Sequence, residues 1–178
     1  MLEMRLPSLA ATALTVTVAL ALSAQEAQSP QWRVSIRSFG PVRIGMTLAR
    51  AARALGERLH YVDVEEGCGH VRPRTAPPGT SFMVVNGRIA RVDVDSGDVA
   101  TLSGAHIGST EAEVQHLYPG QIRVEPHPYT GPEGHYLVFL PRDTVDSTFG
   151  MIFETDGRRV TSYRAGLREP VQYIEGCL

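Results

Sequence analysis

A histidine-rich segment in the second half of the chain carries the side chains best suited to metal chemistry. It reads EPHPYTGPEGHY and contains His127, Glu133 and His135. Imidazole nitrogens and carboxylate oxygens are ordinary zinc ligands. Their spacing matches no standard zinc motif, and a second Gly-His step that ends at His70 favours a role in the fold for such histidines. A periplasmic metal-binding protein or hydrolase that uses this segment is therefore the alternative hypothesis for function.

The sequence lacks the motifs that mark common enzyme classes. It contains no Gly-x-Ser-x-Gly elbow, no Walker A loop and no Gly-x-Gly-x-x-Gly fingerprint. Its carboxylates show no spacing that singles out an acid and base pair. We therefore expect a protein that is not an enzyme and that carries no cofactor.

Two cysteines, Cys68 and Cys177, make up the thiol content of the chain. In an oxidising compartment an even number of cysteines usually pairs, and two of them allow one intramolecular bridge. That bridge closes a loop of about 100 residues, which the loop-entropy model values at about 4–5 kcal/mol. We predict a disulfide that ties the first half of the fold to the C-terminus, with a free reactive thiol as the alternative.

The N-terminus has the pattern of a secretory signal peptide. One arginine precedes the uncharged apolar run Leu9–Leu22, and small residues follow it. The run is shorter than the roughly 20 residues that a membrane-spanning helix needs. We predict a signal peptide at residues 1–24, cleaved after Ser23 or Ala24, and a flexible mature N-terminus at 25–33. The mature chain is expected to be secreted or periplasmic, with no stable membrane span.

Charge argues against one class of partner. The formal net charge is −2, and all 17 basic residues are arginines that are scattered along the chain. A chain without a strong positive field is a poor candidate for nucleic-acid binding. We expect a monomer whose partner is another protein.

Two similar phrases predict two short helices. The first is VRIGMTLARAARALG, and the second, 63 residues later, is AHIGSTEAEVQHLYPG. Thr47 and Thr110 stand where a helix N-cap belongs, because a hydroxyl oxygen there can accept a bond from a free backbone N–H. Glu113 lies three residues after Thr110 and completes a capping box.

The apolar residues after each threonine follow a helical period. Leu48, Ala51, Ala52 and Leu55 recur on one helix face, and Gly56 ends that helix at a position that favours a left-handed conformation. The second helix is expected to end before the Pro-Gly step that follows Tyr118. Both helices are short and amphipathic.

The stretches that follow the helices predict antiparallel strands. Asn86-Gly87 and Asp156-Gly157 are strong signals for tight hairpins, because both turn residues must take positive φ. After the first turn apolar and charged residues alternate as in a half-buried strand: Ala90, Val92 and Val94 alternate with Arg91, Asp93 and Asp95. Each part of the chain therefore reads as helix, strand, strand, tight turn and strand.

The Ile-Gly-Met-Thr phrase with its short helix and strand meander resembles two known families. One comprises the outer-membrane assembly lipoproteins of the BamE (SmpA/OmlA) type, and the other comprises the secreted β-lactamase inhibitory proteins, which look like two such units in tandem. The similarity covers roughly Val34 to Leu167. This sequence lacks the acylated cysteine of the first family and the disulfide that the second family has within each unit. The resemblance implies an α+β fold and a habit of binding proteins.

We therefore expect an α+β chain of two tandem helix-plus-antiparallel-sheet units, at residues 34–98 and 99–178. In the segment HYLVFLP, Tyr136, Val138 and Leu140 lie on one strand face and Leu137 and Phe139 on the other. An apolar face on a sheet marks either a covering element or a binding surface.

Aromatic residues of the second unit are the candidate anchors for a partner. We predict that Tyr136, Phe139 and Tyr163 form a binding surface with Arg158 at its rim, since tyrosine and arginine are common in interface hot spots. The predicted function is a non-enzymatic protein-binding module, inhibitor-like or envelope-associated.

Overall fold

The computed structural model describes residues 32–177, and the chain is mostly β, with 41% strand and 14% helix. The predicted α+β class of two tandem helix-plus-antiparallel-sheet units is therefore wrong. The predicted signal peptide at 1–24 and most of the predicted flexible stretch at 25–33 lie outside the described residues.

The larger of two sheets has eight antiparallel strands. In spatial order they are β4 (Tyr61–Glu65), β5 (Cys68–Val71), β6 (Thr80–Val85), β7 (Arg88–Val94), β12 (Val160–Leu167), β11 (Phe149–Thr155), β10 (His135–Phe139) and β9 (Ile122–Pro126).

The smaller sheet has four short strands. In spatial order they are β3 (Val42–Arg43), β2 (Ser38–Phe39), β1 (Arg33–Ser35) and β8 (Ala100–Thr101). The β1–β8 pair is parallel and the other pairs are antiparallel.

Strand pairing explains why the predicted class is wrong. β7 and β12 form a continuous ladder that includes the pairs Tyr163↔Val94 and Ala165↔Val92. Strands from both predicted units therefore belong to one sheet. The two α-helices among the described residues have only eight and seven residues, so they do not form a layer comparable with that sheet.

The predicted helix caps are confirmed. Helix α1 spans Leu48–Leu55, begins after Thr47, whose side chain accepts a backbone hydrogen bond, and ends at Gly56 with φ 68°. Helix α2 spans Glu111–Leu117, and both hydrogen bonds of its predicted capping box are present. Within residues 32–177, two single-turn 3-10 helices complete the helical elements, at Thr144–Asp146 and Pro170–Gln172.

The two predicted hairpins differ in outcome. Asn86 and Gly87 join β6 to β7 with φ of 50° and 71°, as the tight turn requires. The β11–β12 connection is wider and uses residues 156–159. There the Asp156 carboxylate accepts hydrogen bonds from the backbone N–H of Arg158 and Arg159 at 2.9 and 2.8 Å. Side-chain hydrogen bonds therefore stabilise this wider turn.

The main core lies between one face of the large sheet and a layer formed by the small sheet and both helices. Its fully buried members include Val34, Phe39, Ala51, Phe82, Val92, Val114, Leu137, Phe153 and Tyr163. The opposite face of the large sheet carries a second, smaller apolar cluster, formed by Tyr136, Val138, Ile152 and Val171 with Leu140 beside it. The two faces predicted for the segment HYLVFLP are confirmed.

A glycine allows the two halves of the large sheet to approach closely. Gly166 of β12 pairs with Arg91 of β7 on one side and with Gly150 of β11 on the other. A Cβ atom at position 166 would lie 2.3 Å from the carbonyl oxygen of Ala90 and 2.5 Å from the Cα of Arg91. Any larger residue there must displace backbone.

We therefore expect Gly166→Ala to lower the free energy of unfolding by about 1–3 kcal/mol, the usual cost of overpacking a tight site. Urea unfolding of the oxidised protein measures the change. The matched control is Gly150→Ala, because a Cβ atom there meets Val171 Cγ2 at 3.4 Å and the Cα of Arg168 at 4.0 Å, which are ordinary van der Waals distances. The control should change stability by no more than about 1 kcal/mol. Equal losses in the two variants would contradict the close-approach argument.

Candidate functional site

The C-terminal residues form a strap over the second face of the large sheet. We define the strap as residues 168–177. It contains the 3-10 helix Pro170–Gln172, packs Val171 against the apolar cluster on β10 and β11, and ends with a disulfide between Cys177 and Cys68 of β5. The two cysteines are 109 residues apart in sequence, and their Cα atoms are 5.4 Å apart. The strap is the covering element of this face.

Two buried arginines bind the strap through its main chain. Arg91 donates from Nη1 to the carbonyl oxygens of Pro170 and Tyr173 at 2.6 and 2.8 Å, and Arg164 donates from Nε to the carbonyl oxygen of Val171 at 2.6 Å. Arg91 and Arg164 are only 4% and 5% exposed. A buried cation requires hydrogen-bond acceptors around it, and the strap supplies three of them.

Carboxylates complete the pairing of both arginines. Arg91 Nε donates to Asp93 at 2.8 Å, and Arg164 forms an ion pair with Glu154. Burial raises the pKa of Glu154, but the charge and hydrogen bond of Arg164, with a smaller effect of His127, outweigh burial and leave that pKa below its ordinary value. Glu154 is therefore held as the anion that the buried guanidinium needs.

The predicted aromatic anchors are not exposed. Tyr163 is 1% exposed in the main core and donates its hydroxyl hydrogen bond to the Val99 carbonyl at 2.9 Å. Phe139 also faces that core, and its ring lies 5.0 Å from the ring of Tyr118. Tyr136 is 6% exposed on the opposite face, in the cluster that Val171 of the strap completes. The three rings do not form one accessible surface in this fold.

The predicted rim residue lies elsewhere. Arg158 is exposed in the loop between β11 and β12, whereas the three aromatic residues are buried or half-buried within strands. The binding surface that the sequence predicted is therefore not assembled from these residues.

The histidines of the alternative metal hypothesis have separate partners. His127 Nε2 lies 3.2 Å from a Glu154 oxygen, and His135 Nδ1 lies 2.8 Å from a Glu111 oxygen. Glu133 is exposed in the turn before β10. No group of metal-binding side chains within residues 32–177 includes any of the three predicted ligands. The two imidazoles hold carboxylates of the fold instead of sharing an ion.

An open groove borders the strap where it meets the β6–β7 hairpin. Its volume is about 790 Å³. We call it the strap groove, and its lining residues include Val85, Arg88, Ile89, Ala90, Arg123, Leu167, Arg168, Glu169, Pro170 and Tyr173. The volume lies in the range of roughly 300–1,000 Å³ that is typical of ligand sites.

Three arginines line this groove. Arg88 donates to the Gly45 carbonyl at 3.0 Å, Arg168 donates to the Ser147 carbonyl at 3.3 Å, and Arg123 has an ion pair with Glu125. Each of these contacts uses one nitrogen of a group that has five N–H donors. The groove can therefore offer further donors to an anion.

The composition of the groove predicts its chemical preference. Its lining has three arginines and one glutamate, together with the exposed Tyr173 and the apolar residues Leu167 and Pro170. Arginine forks bind carboxylates in a bidentate manner. The groove can thus hold a group that combines a carboxylate with an apolar portion.

The sequence signals for this groove are weak. Its arginines come from β7, β9 and the strap, far apart in the chain, and no motif links them. Only a fold that brings the C-terminus onto the sheet assembles them. The predicted disulfide was the one indication that the C-terminus returns to the first half of the chain.

Comparisons with known proteins identify no family for this chain. No family model matches the chain, and no curated protein matches its sequence. It is similar to the crystal structure of the uncharacterized protein YfeY from Escherichia coli, with 15% identity over 75% of this chain and 99% of that chain and a TM-score of 0.49. The family resemblance of the helix motif finds no support in these comparisons and stays a prediction.

The pairing of Arg164 predicts a pH-dependent stability. Arg164→Met leaves Glu154 partly buried without its closest cation, so we expect the free energy of unfolding at pH 7 to fall by about 3 kcal/mol. In the wild type, the ionised Glu154 contributes to the free energy of unfolding. This contribution is lost as the pH falls from 4.5, the ordinary pKa of glutamate, through the lowered pKa of Glu154 in the fold. In the variant, burial favours the neutral acid, so protonation stabilises the fold. The decrease in the free energy of unfolding caused by Arg164→Met should therefore be smaller at acid pH than at pH 7.

Urea unfolding at pH 7 and pH 4, with the disulfide intact, measures the free energy of unfolding of the wild type and of the variant at each pH. The control is Arg158→Met, which removes an exposed arginine and should change stability by less than about 0.5 kcal/mol. A loss of the same size at both pH values would show that Glu154 is not the group that Arg164 stabilises.

Proposed function

We propose that the mature chain is a secreted or periplasmic protein-binding module without catalytic activity, inhibitor-like or envelope-associated, and that its partner binds in the strap groove. The observation that carries this proposal is the combination of three arginines with an apolar, tyrosine-lined wall in one groove. Interface hot spots are enriched in arginine and tyrosine.

The charge of the groove defines the partner. Three arginines against one glutamate favour an acidic segment, and the apolar wall favours a hydrophobic residue beside the acid. A protruding loop with this composition would place its carboxylate between Arg123 and Arg168 and its apolar side chain against Tyr173. The partner we propose is therefore a protein that presents an acidic and apolar loop.

The wall of the groove is suited to tight binding because it is fixed before a partner arrives. The strap is held at its end by the Cys68–Cys177 bond and along its length by Arg91 and Arg164. A surface that is already ordered loses less conformational entropy on binding. This property is common to inhibitors that work by occupying a partner.

Location outside the cytoplasm is part of the proposal. A disulfide between distant segments is typical of proteins in oxidising compartments, and the N-terminal pattern is typical of a signal peptide. No helix within residues 32–177 is both long enough and apolar enough to cross a bilayer.

Charge reversal in the groove tests this function. Arg123→Glu with Arg168→Glu should weaken binding to a purified partner at least thirtyfold, that is, by about 2 kcal/mol or more. The partner is first captured from periplasm and culture medium by a photo-crosslinker placed at Tyr173 of the oxidised protein. Binary affinity of the purified pair is then measured by calorimetry.

The matched control makes the same change of charge away from the groove. Arg53→Glu with Arg158→Glu alters two exposed arginines, one on α1 and one on the β11–β12 loop, and should leave the affinity unchanged. If the control loses binding and the groove variant does not, the partner uses another surface. Saturable binding of dodecanoate in the groove, with no captured protein, would replace the protein partner with a small amphiphilic anion.

A further inference from the structure

We propose that reduction of the Cys68–Cys177 bond converts this end of the strap into a zinc site with Cys68, Cys177, His70 and Asp63 as ligands. This inference does not depend on the groove or its partner. It rests on side chains from β4, β5 and the strap that converge at the end of the strap.

The distances place three possible donors together. One ligand atom from each of Asp63, His70 and Cys177 lies within 4.8 Å of the others. The sulfur of Cys68 lies outside this group of three but is bonded to that of Cys177, and reduction frees it as the fourth donor. In a tetrahedral zinc site, ligand atoms are about 3.3–3.8 Å apart given the usual zinc–ligand bond lengths. The two sulfurs must therefore separate from roughly 2 Å to about 3.8 Å, and the other ligand atoms must approach one another by up to about 1.5 Å, for the site to form.

The oxidation state controls whether the sulfurs can act as ligands. The metal ligand is the thiolate, and neither sulfur is a thiolate while the disulfide is intact. A dithiol reductant donates two electrons and two protons, becomes a disulfide itself and leaves two thiols on the protein. A zinc ion then displaces both thiol protons into solvent and binds the two thiolates.

The strap should stay in place after reduction. Arg91 and Arg164 hold the carbonyl groups of Pro170, Val171 and Tyr173, and none of these bonds involves sulfur. Tyr173 is only four residues before Cys177. The two cysteines therefore remain neighbours when their covalent bond is broken.

The histidine is already oriented by a carboxylate. His70 Nδ1 lies 3.0 Å from Asp63 Oδ1, and Asp63 also accepts the backbone N–H of His70 at 2.7 Å. In the zinc site the ion replaces this hydrogen bond: Nδ1 and Oδ1 become ligands, and the ring proton resides on Nε2. The His70 ring packs against the backbone of Gly176, where a Cβ atom would lie 3.1 Å from Cε1. The imidazole is thus kept beside Cys177.

The surface leaves a path for the ion. A depression of about 260 Å³ is lined by Asp63, Glu65, His70, Glu175 and Cys177, among others. Its three carboxylates favour the approach of a divalent cation. The ligand set contains two sulfurs, one nitrogen and one oxygen, which favours zinc over magnesium or calcium.

Metal titration of the mature protein in both redox states tests the proposal. The protein is purified oxidised, and half is reduced with a phosphine under anaerobic conditions. Zinc is then titrated against a chromophoric chelator. We expect one zinc per reduced chain and no zinc on the oxidised chain. Cobalt should give thiolate-to-metal charge-transfer absorption with the reduced protein alone.

Variants distinguish this site from adventitious thiol binding. His70→Gln and Asp63→Asn should each weaken zinc binding to the reduced chain by about 10- to 100-fold. His116→Gln, which changes an exposed histidine on α2, should have no effect. Equal zinc binding in both redox states, no binding after reduction, or binding that is insensitive to His70→Gln would each overturn the proposal. Circular dichroism shows whether the reduced chain has unfolded. Zinc bound by an unfolded chain would depend on the thiols alone, so His70→Gln would not weaken it.

Discussion

The organisation of the second sheet face depends on hydrogen bonds from two buried guanidinium groups to the main chain of the strap. Arg91 and Arg164 would be costly to bury without acceptors, and the strap would present unpaired carbonyl groups if it lay on an apolar surface. Each satisfies the other. Because the acceptors are main-chain oxygens, the interaction depends on the path of the strap more than on its side chains.

These hydrogen bonds explain why the strap follows one path instead of taking several positions on an apolar surface. The apolar cluster beneath it is small: Tyr136, Val138 and Ile152 of the sheet are buried against Val171 of the strap. Burial of apolar area is not directional, whereas hydrogen bonds to two fixed guanidinium groups are. Three buried polar atoms of the face, Asp93 Oδ2, Tyr136 Oη and Arg164 Nη2, have no partner within residues 32–177. The polar layer therefore serves to position the strap more than to maximise stability.

The local structure was more predictable than the assembly. The caps at Thr47 and Thr110 and the turn at Asn86 follow from contacts within a few residues, and all three are confirmed. The fold class was wrong because a helix signal of eight residues says nothing about how many strands surround it. The pairing of β7 with β12 involves positions about 70 residues apart, such as Val94 and Tyr163, and no local pattern specifies such a partner.

The candidate site was missed for a related reason. Alternating charges at Arg91 and Asp93 are the pattern of a strand with one face in water, and Arg164 fits the same interpretation. Their burial depends on a covering segment from the other end of the chain. A single sequence contains the two halves of that contact but not their proximity. The cysteine pair was the exception, since a disulfide relates distant positions by count alone.

The strap connects the two proposals without making one depend on the other. Residues 168–173 form a wall of the groove, and Asp63, His70, Cys68 and Cys177 surround its far end. The arginine bonds hold Pro170, Val171 and Tyr173 within that wall, so a change at the sulfurs need not move the groove. If those bonds carry most of the docking energy, the disulfide mainly restricts the unfolded chain, as the loop-entropy model describes. The covalent bond can then be exchanged for a metal while the groove keeps its form.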